Sequence, residues 1–251
     1  MLLKLNYIRV QLIYNKMKKV YLLLLLVTFV QLGFAQTEES FINEGVSKME
    51  SKSYEAAVES FSKAIEKNPK SEMAFYKRGN AKLNLNDDLG AIDDFTKAIQ
   101  LNPKSYKAFY NRGLAYSNIQ EQKKAELDYT SSLKINPDQV SALANRGVVR
   151  IELGEFNKAL EDLDKALQMD PNHLIAYTNR ALAKVGLKDY KGAISDCDKA
   201  LKIDENHGDA LLVRGGAKLM INKNASGCDD LAKAIKLNVP GAKEAYDELC
   251  K

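Results

Sequence analysis

Apolar residues along this chain recur at intervals of three and four and fall into paired stretches separated by short polar breaks. Phe41, Gly45 and Met49 share one face of a predicted helix near residues 38–51, and Tyr54, Ala57, Val58, Phe61 and Ile65 share one face of a second. Such stripes mark amphipathic helices, whose apolar sides need a neighbour. The pair of stripes then returns at a constant interval. Pro69, Pro103, Pro137 and Pro171 stand 34 residues apart, and so do Gly45, Gly79, Gly113 and Gly147. A fixed period of this size indicates a repeat architecture, in which one hairpin cannot bury its own stripe and stacked copies shelter one another. Each proline lacks an amide proton and constrains its predecessor, so the second helices are predicted to stop at Asn68, Asn102, Asn136 and Asp170.

From Glu72 to His173 the pattern is written three times in succession. Each copy carries a bulky residue before a small one (Phe75 and Gly79, Phe109 and Gly113) and an alanine early in the second helix (Ala57, Ala91, Ala125, Ala159, Ala193). A further alanine seven places on and a closing proline complete it. These residues resemble the tetratricopeptide repeat over roughly residues 38–241. The resemblance implies an all-α fold, a right-handed α-solenoid of about six helix-turn-helix units at 38–71, 72–105, 106–139, 140–173, 174–207 and 208–241. Residues 242–251 are expected to form a closing helix over the last apolar edge. The fifth unit departs with Ala181 for glycine and Glu205 for proline, and the sixth with Gly227 for alanine and a proline shifted to Pro240. Cys197 takes the place of Phe61, Phe95 and Tyr129 and reads as a small core residue.

Charge changes this picture only at the N-terminus. With 45% hydrophobic and 28% charged residues, the 251-residue chain has the composition of an ordinary globular protein. Lys4, Arg9, Lys16, Lys18 and Lys19 all precede Gln36 and no acid does, which leaves a balanced remainder without a nucleic-acid footprint. From Met17 the chain reads MKKVYLLLLLVTFVQLGFAQ, the basic start, apolar core and small residues of a secretory signal peptide, with cleavage expected after Ala35. The stretch from Val20 to Ala35 is short against the ~20 residues that cross a bilayer. Residues 1–16 read as an overlong start. The expected mature chain is therefore exported, periplasmic or secreted, of bacterial type and without a membrane span.

Two columns are more specific than the apolar pattern. Arg78, Arg112, Arg146, Arg180 and Arg214 recur in register, and sixteen residues after each stand Asp94, Asp128, Asp162, Asp196 and Asp230. The first unit has Glu44 and Ser60 there, so both partners are missing together. The spacing predicts structural ion pairs, either between the two helices of a unit or from the aspartate to the arginine of the next, because a planar guanidinium suits a fixed carboxylate. Cys228 and Cys250 lie in the last two helices; in an oxidising compartment they form either a disulfide that fastens the closing helix or two separate thiols. The two histidines, His173 and His207, fall in inter-unit turns without the companions of a metal shell. No nucleophile has a recognisable partner and no glycine loop suits a phosphate, so neither a metal, a cofactor nor an enzyme activity is expected.

In this family the first helix of each unit lines the concave surface. Before the arginines stand Lys77, Asn111, Asn145 and Asn179, and Asn43 holds the same place before Glu44, with Tyr76, Asn80 and Tyr110 close by. Carboxamides offer a donor and an acceptor to an extended peptide, and tyrosine adds apolar contact with a polar tip. The expectation is a non-catalytic interaction scaffold in which Asn80, Asn111, Asn145 and Asn179 fix a partner's backbone and Tyr76 and Tyr110 pack on it. The same asparagines would equally serve bonds between helices. An alternative use is structural, as an accessory part of an envelope complex through the convex side or an end. Relatives that clamp a C-terminal carboxylate use lysines or arginines together with asparagines; the matching places here are Tyr76, Asn80, Asn111, Ser141 and Asn145, which lack the basic residues.

Overall fold

The computed structural model describes residues 16–19, 37–222 and 225–250, and apart from one helical turn at 16–19 the leader lies outside them. The array begins with α1 (Glu38–Glu50) and α2 (Tyr54–Lys67), followed by α3 (Glu72–Asn84) and α4 (Asp88–Leu101). Next come α5 (Tyr106–Asn118) and α6 (Gln122–Ile135), then α7 (Val140–Glu152) and α8 (Phe156–Met169). The series ends with α9 (Leu174–Gly186), α10 (Tyr190–Ile203), α11 (Gly208–Ile221), α12 (Ala225–Lys236) and α13 (Ala242–Leu249). No strand occurs among the described residues, and the fold is an α-solenoid.

Each hairpin is closed by repeated local chemistry. After the first helix the chain turns through a left-handed residue at Lys52, Asn86, Gln120, Gly154 and Lys188, with φ between 58° and 76°. Only Gly154 holds that conformation without steric cost, since a Cβ there costs about 1–2 kcal/mol. Gln120→Gly is therefore expected to raise stability by about 0.5–1 kcal/mol, a gain reduced by the added chain entropy of glycine, and urea denaturation measures it. In the sixth unit α11 runs on to Ile221, and Asn222, at the equivalent place, is extended with φ −144°. At the other end of each hairpin, Asn68, Asn102, Asn136, Asp170 and Asp204 accept from the amide two residues on, folding the chain back on itself. Ser71 and His173 then cap the next helix by accepting from Ala74 N and Ala176 N.

Packing inside each unit rests on a glycine against a large side chain. A Cβ built on Gly79 would lie 2.7 Å from Phe95 Cε1, and Gly45, Gly113 and Gly147 meet Phe61, Tyr129 and Leu163 equally closely. In the fifth unit both sides change: Ala181 faces Cys197, and both are fully buried. The smaller sulfhydryl leaves room for the extra methyl. Ser132 stands where the other units have their second alanine, and its hydroxyl donates to Tyr106 O, so its burial leaves no polar group unpaired.

Buried residues form a succession of small clusters at the joints between consecutive helices. Each helix packs on the one before and the one after it. First helices of neighbouring units also touch, α1 with α3, α3 with α5, α7 with α9 and α9 with α11, whereas second helices make no comparable contact. The closer spacing puts the first helices on the inner side of the curve. Helix α13 lies against α11 and α12, and its residue Ala242 joins the cluster of Leu211, Leu212, Ala234, Ile235 and Val239.

Candidate functional site

The arginine column builds the frame on which the inner face is mounted. Arg78, Arg112, Arg146, Arg180 and Arg214 each donate through Nε and Nη2 to both oxygens of the aspartate sixteen residues on, at 2.6–2.9 Å. Of the two connections left open by the spacing, the aspartate therefore pairs within its own unit. The arginine is the residue that spans units. Its Nη1 reaches back sixteen residues to Ser62, Thr96, Thr130, Asp164 or Asp198 on the preceding second helix, at 2.6–3.0 Å. A planar fork with five donors can pair with both oxygens of one carboxylate and still reach the preceding helix, a geometry that a compact ammonium does not match.

Sequence reasoning missed a second cation in this frame. One helical turn after the arginine, Lys82, Arg150, Lys184 and Lys218 also bind the buried aspartate, at 2.7–2.9 Å. Only the third unit differs, with Tyr116 at that place, so Asp128 has Arg112 as its single cationic partner. The signal was available as another column of period 34, basic in every unit that has the pair except one. Burial pushes the Asp196 carboxyl upward, but hydrogen bonds from Arg180 and Lys184 outweigh it and hold the group below the usual carboxylate range. Asp230 is lowered against the same burial by Arg214 and Lys218. For Arg180 the bond to Asp196 is the largest influence and raises it, against burial.

On the inner face the asparagines are largely spent on their neighbours. Asn111 Nδ2 donates to Asn80 Oδ1 at 2.6 Å and to Tyr76 Oη at 3.3 Å, and Asn145 Nδ2 donates to Tyr110 Oη at 3.1 Å. Three first helices, α3, α5 and α7, are thus tied by carboxamide-to-phenol bonds. A phenol oxygen that accepts keeps its own proton for another partner. Burial raises the Tyr110 phenol above its ordinary range, against bonds from Asn145 and Ser141, so that proton stays in place at neutral pH.

Tyr76, Tyr110 and Asn111 meet in one open hollow of about 340 Å³, with Tyr106, Lys107 and Ser141 on its walls. No acidic side chain lines it. Behind the tyrosines stand the core rings, with Tyr76 to Phe95 at 5.9 Å and Tyr110 to Tyr129 at 5.8 Å between centroids. Asn179 belongs elsewhere, in a hollow of about 260 Å³ between α9 and α11 where Ile175, Leu182 and Leu212 stand beside Thr178, His207 and Asp209. The asparagine column is therefore divided between two separate hollows.

The cysteines divide by environment. Cys228 and Cys250 form a disulfide with Cα atoms 5.8 Å apart, joining α12 to the end of α13. Cys197 is free and fully buried, and burial pushes its thiol up to about 12, where it holds no thiolate at neutral pH. His173 caps α9. Among the described residues no cluster of histidine, cysteine and carboxylates could hold a metal ion. None of their helices is long and apolar enough to cross a membrane.

Family models described as tetratricopeptide repeat match residues 42–106, 95–126, 140–173 and 174–207. No curated protein sequence matches the chain. Among solved structures, MamA is similar at 24% identity and a TM-score of 0.64, over 69% of this chain and 94% of that one. YrrB, described as a TPR protein with an unusual peptide-binding site, is similar at 22% identity and a TM-score of 0.64, over 76% and 99%. The pilF protein of Pseudomonas aeruginosa has 17% identity and a TM-score of 0.70, over 84% and 95%. At such identities the likeness is one of fold.

Proposed function

Because the chain belongs to the tetratricopeptide repeat family, we propose that it is an exported, non-catalytic interaction scaffold that holds an extended segment of a protein partner along its inner face. The observation that carries this reading is the hollow shared by Tyr76, Tyr110 and Asn111. Both phenol oxygens already accept from asparagine amides, so each phenol can turn its proton toward an acceptor on a ligand, Tyr110 in exchange for its contact with Ser141. Asn111 directs its amide nitrogen to Asn80 and Tyr76, which leaves its carbonyl oxygen for a ligand N–H. Two donors and one acceptor on adjacent helices match the alternating C=O and N–H of an extended backbone. The asparagines serve mainly to aim the tyrosines. The basic leader and apolar core before Ala35 support export, and N-terminal sequencing of secreted protein tests it.

Selection from a displayed random-peptide library, followed by affinity measurement on the selected peptides, tests the groove. Removing both hydroxyls in Tyr76→Phe with Tyr110→Phe deletes two hydrogen bonds to the ligand and, within the protein, the bonds that Asn111 and Asn145 donate to those oxygens. Binding is expected to weaken by about ten- to a hundredfold, at roughly 1 kcal/mol for each bond to the ligand, while the loss of the two internal bonds lowers the melting temperature by a few degrees and leaves the fold intact. Unchanged affinity with the fold intact would move the working surface to the convex side or an end of the array, as an assembly role requires.

A further inference from the structure

We propose that the Cys228–Cys250 disulfide is a redox-controlled latch: a dithiol reductant that opens it releases α13 and loosens the sixth unit, leaving the rest of the array folded. The latch acts from the C-terminal end and touches none of the residues around the hollow of Tyr76, Tyr110 and Asn111. Helix α13 has only eight residues, and Ala242 is its one buried residue. Helices this short are marginal unless packing or a crosslink holds them. Here packing supplies one fully buried methyl group and the half-buried sides of Ala245, Tyr246 and Leu249, and the disulfide anchors the far end at Cys250.

The unit beneath is the least regular of the array. Asn222, at the place of the left-handed residue in the five units before it, is extended, and α11 and α12 approach through Gly215 and Gly227, each glycine's absent Cβ lying 2.9 Å from the other's carbonyl oxygen. Both bonded cysteines are only partly buried, unlike Cys197, so an external thiol has access to them. Release has a path inward as well. Ala242 packs in one cluster with Leu212, and Leu212 also walls the hollow between α9 and α11. Losing α13 therefore removes support from that hollow.

The reaction balances as thiol–disulfide exchange. One thiolate of the dithiol attacks a sulfur of the Cys228–Cys250 bond, forming a mixed disulfide and expelling the other cysteine as thiolate, which takes up a proton. The second thiol of the reductant then displaces the remaining cysteine. Two electrons pass to the protein, which gains two thiols, and the dithiol leaves as its cyclic disulfide.

Hydrogen exchange followed by mass spectrometry tests the latch on the protein in its oxidised form, after millimolar dithiothreitol, and as Cys250→Ser. The bond closes a loop with a sequence separation of 22. Opening a loop of that size is expected to speed exchange in α13 and α12 by roughly a hundredfold. Amides from α1 to α10 are expected to keep their protection, and dithiothreitol is expected to add nothing to Cys250→Ser. Equal protection of α13 in oxidised and reduced protein overturns the proposal. So does loss of protection throughout the chain, which makes the bond a global staple, and so does a bond that resists the reductant in native protein.

Discussion

Asp196→Asn is expected to destabilise the array by about 3–5 kcal/mol, the cost of stranding partly buried cations beside a neutral group. Asp196 is 1% exposed and holds Arg180 and Lys184, which are 14% and 21% exposed. Asp128→Asn is expected to cost less, because Arg112 is its only cationic partner. Urea denaturation followed by far-ultraviolet circular dichroism measures both, and equal midpoint shifts would sink the role given to the second cation. The same geometry fixes the response to acid. The folded carboxyls of Asp196 and Asp230 lie below their ordinary range, so the stability they contribute is fully present above about pH 4. It disappears as pH falls through the lowered folded values. An acid titration of the wild type should keep its helical signal down to about pH 4 and lose it below. Asp196→Asn should begin from lower stability and show a weaker dependence over that range.

Cys197→Phe is expected to cost about 3 kcal/mol by itself, and much less when combined with Ala181→Gly. The other units show why. Where a ring fills this place, the facing residue is glycine, and an added Cβ would come within 3 Å of Phe61, Phe95 or Tyr129. Phenylalanine opposite Ala181 meets that clash in a fully buried site, where overpacking costs about 1–3 kcal/mol and occasionally more. Trimming Ala181 to glycine restores the arrangement of the second and third units. The coupling between the two substitutions is expected to be roughly 1–3 kcal/mol in a double-mutant cycle. Additive effects would mean that the cysteine and the alanine do not accommodate each other.

The helical pairs, their period and the alternation of glycine with a large residue were legible along the chain because each depends on contacts between near neighbours in sequence. The ion pairs were legible as to partners and not as to path. Arginine and aspartate recur sixteen apart, but the column also allowed a bond to the next unit, and Lys82, Arg150, Lys184 and Lys218 passed unnoticed as ordinary surface charges. The asparagines were the hardest to read. Asn111 and Asn145 stand in one column, yet each turns its amide toward a tyrosine of the preceding unit, 35 residues back. Asn179 joins a separate hollow with Ile175, Leu182, Leu212 and Asp209, between α9 and α11. One-dimensional spacing says which residues are equivalent, and the neighbour's side chain says what an equivalent residue does.

By itself the sequence determined the repeat. A strict 34-residue recurrence of stripes, small residues and stop signals leaves stacked hairpins as the arrangement that buries every apolar face. Tertiary structure alone decided which donors of the inner face stay free, that each arginine bridges units while its aspartate does not, and that Cys228 reaches Cys250. The physical reason is range. Helix formation and hairpin closure depend on residues within one period, whereas the direction of a hydrogen bond or the meeting of two sulfurs depends on how neighbouring units are set against each other, and that follows from packing of the whole stack.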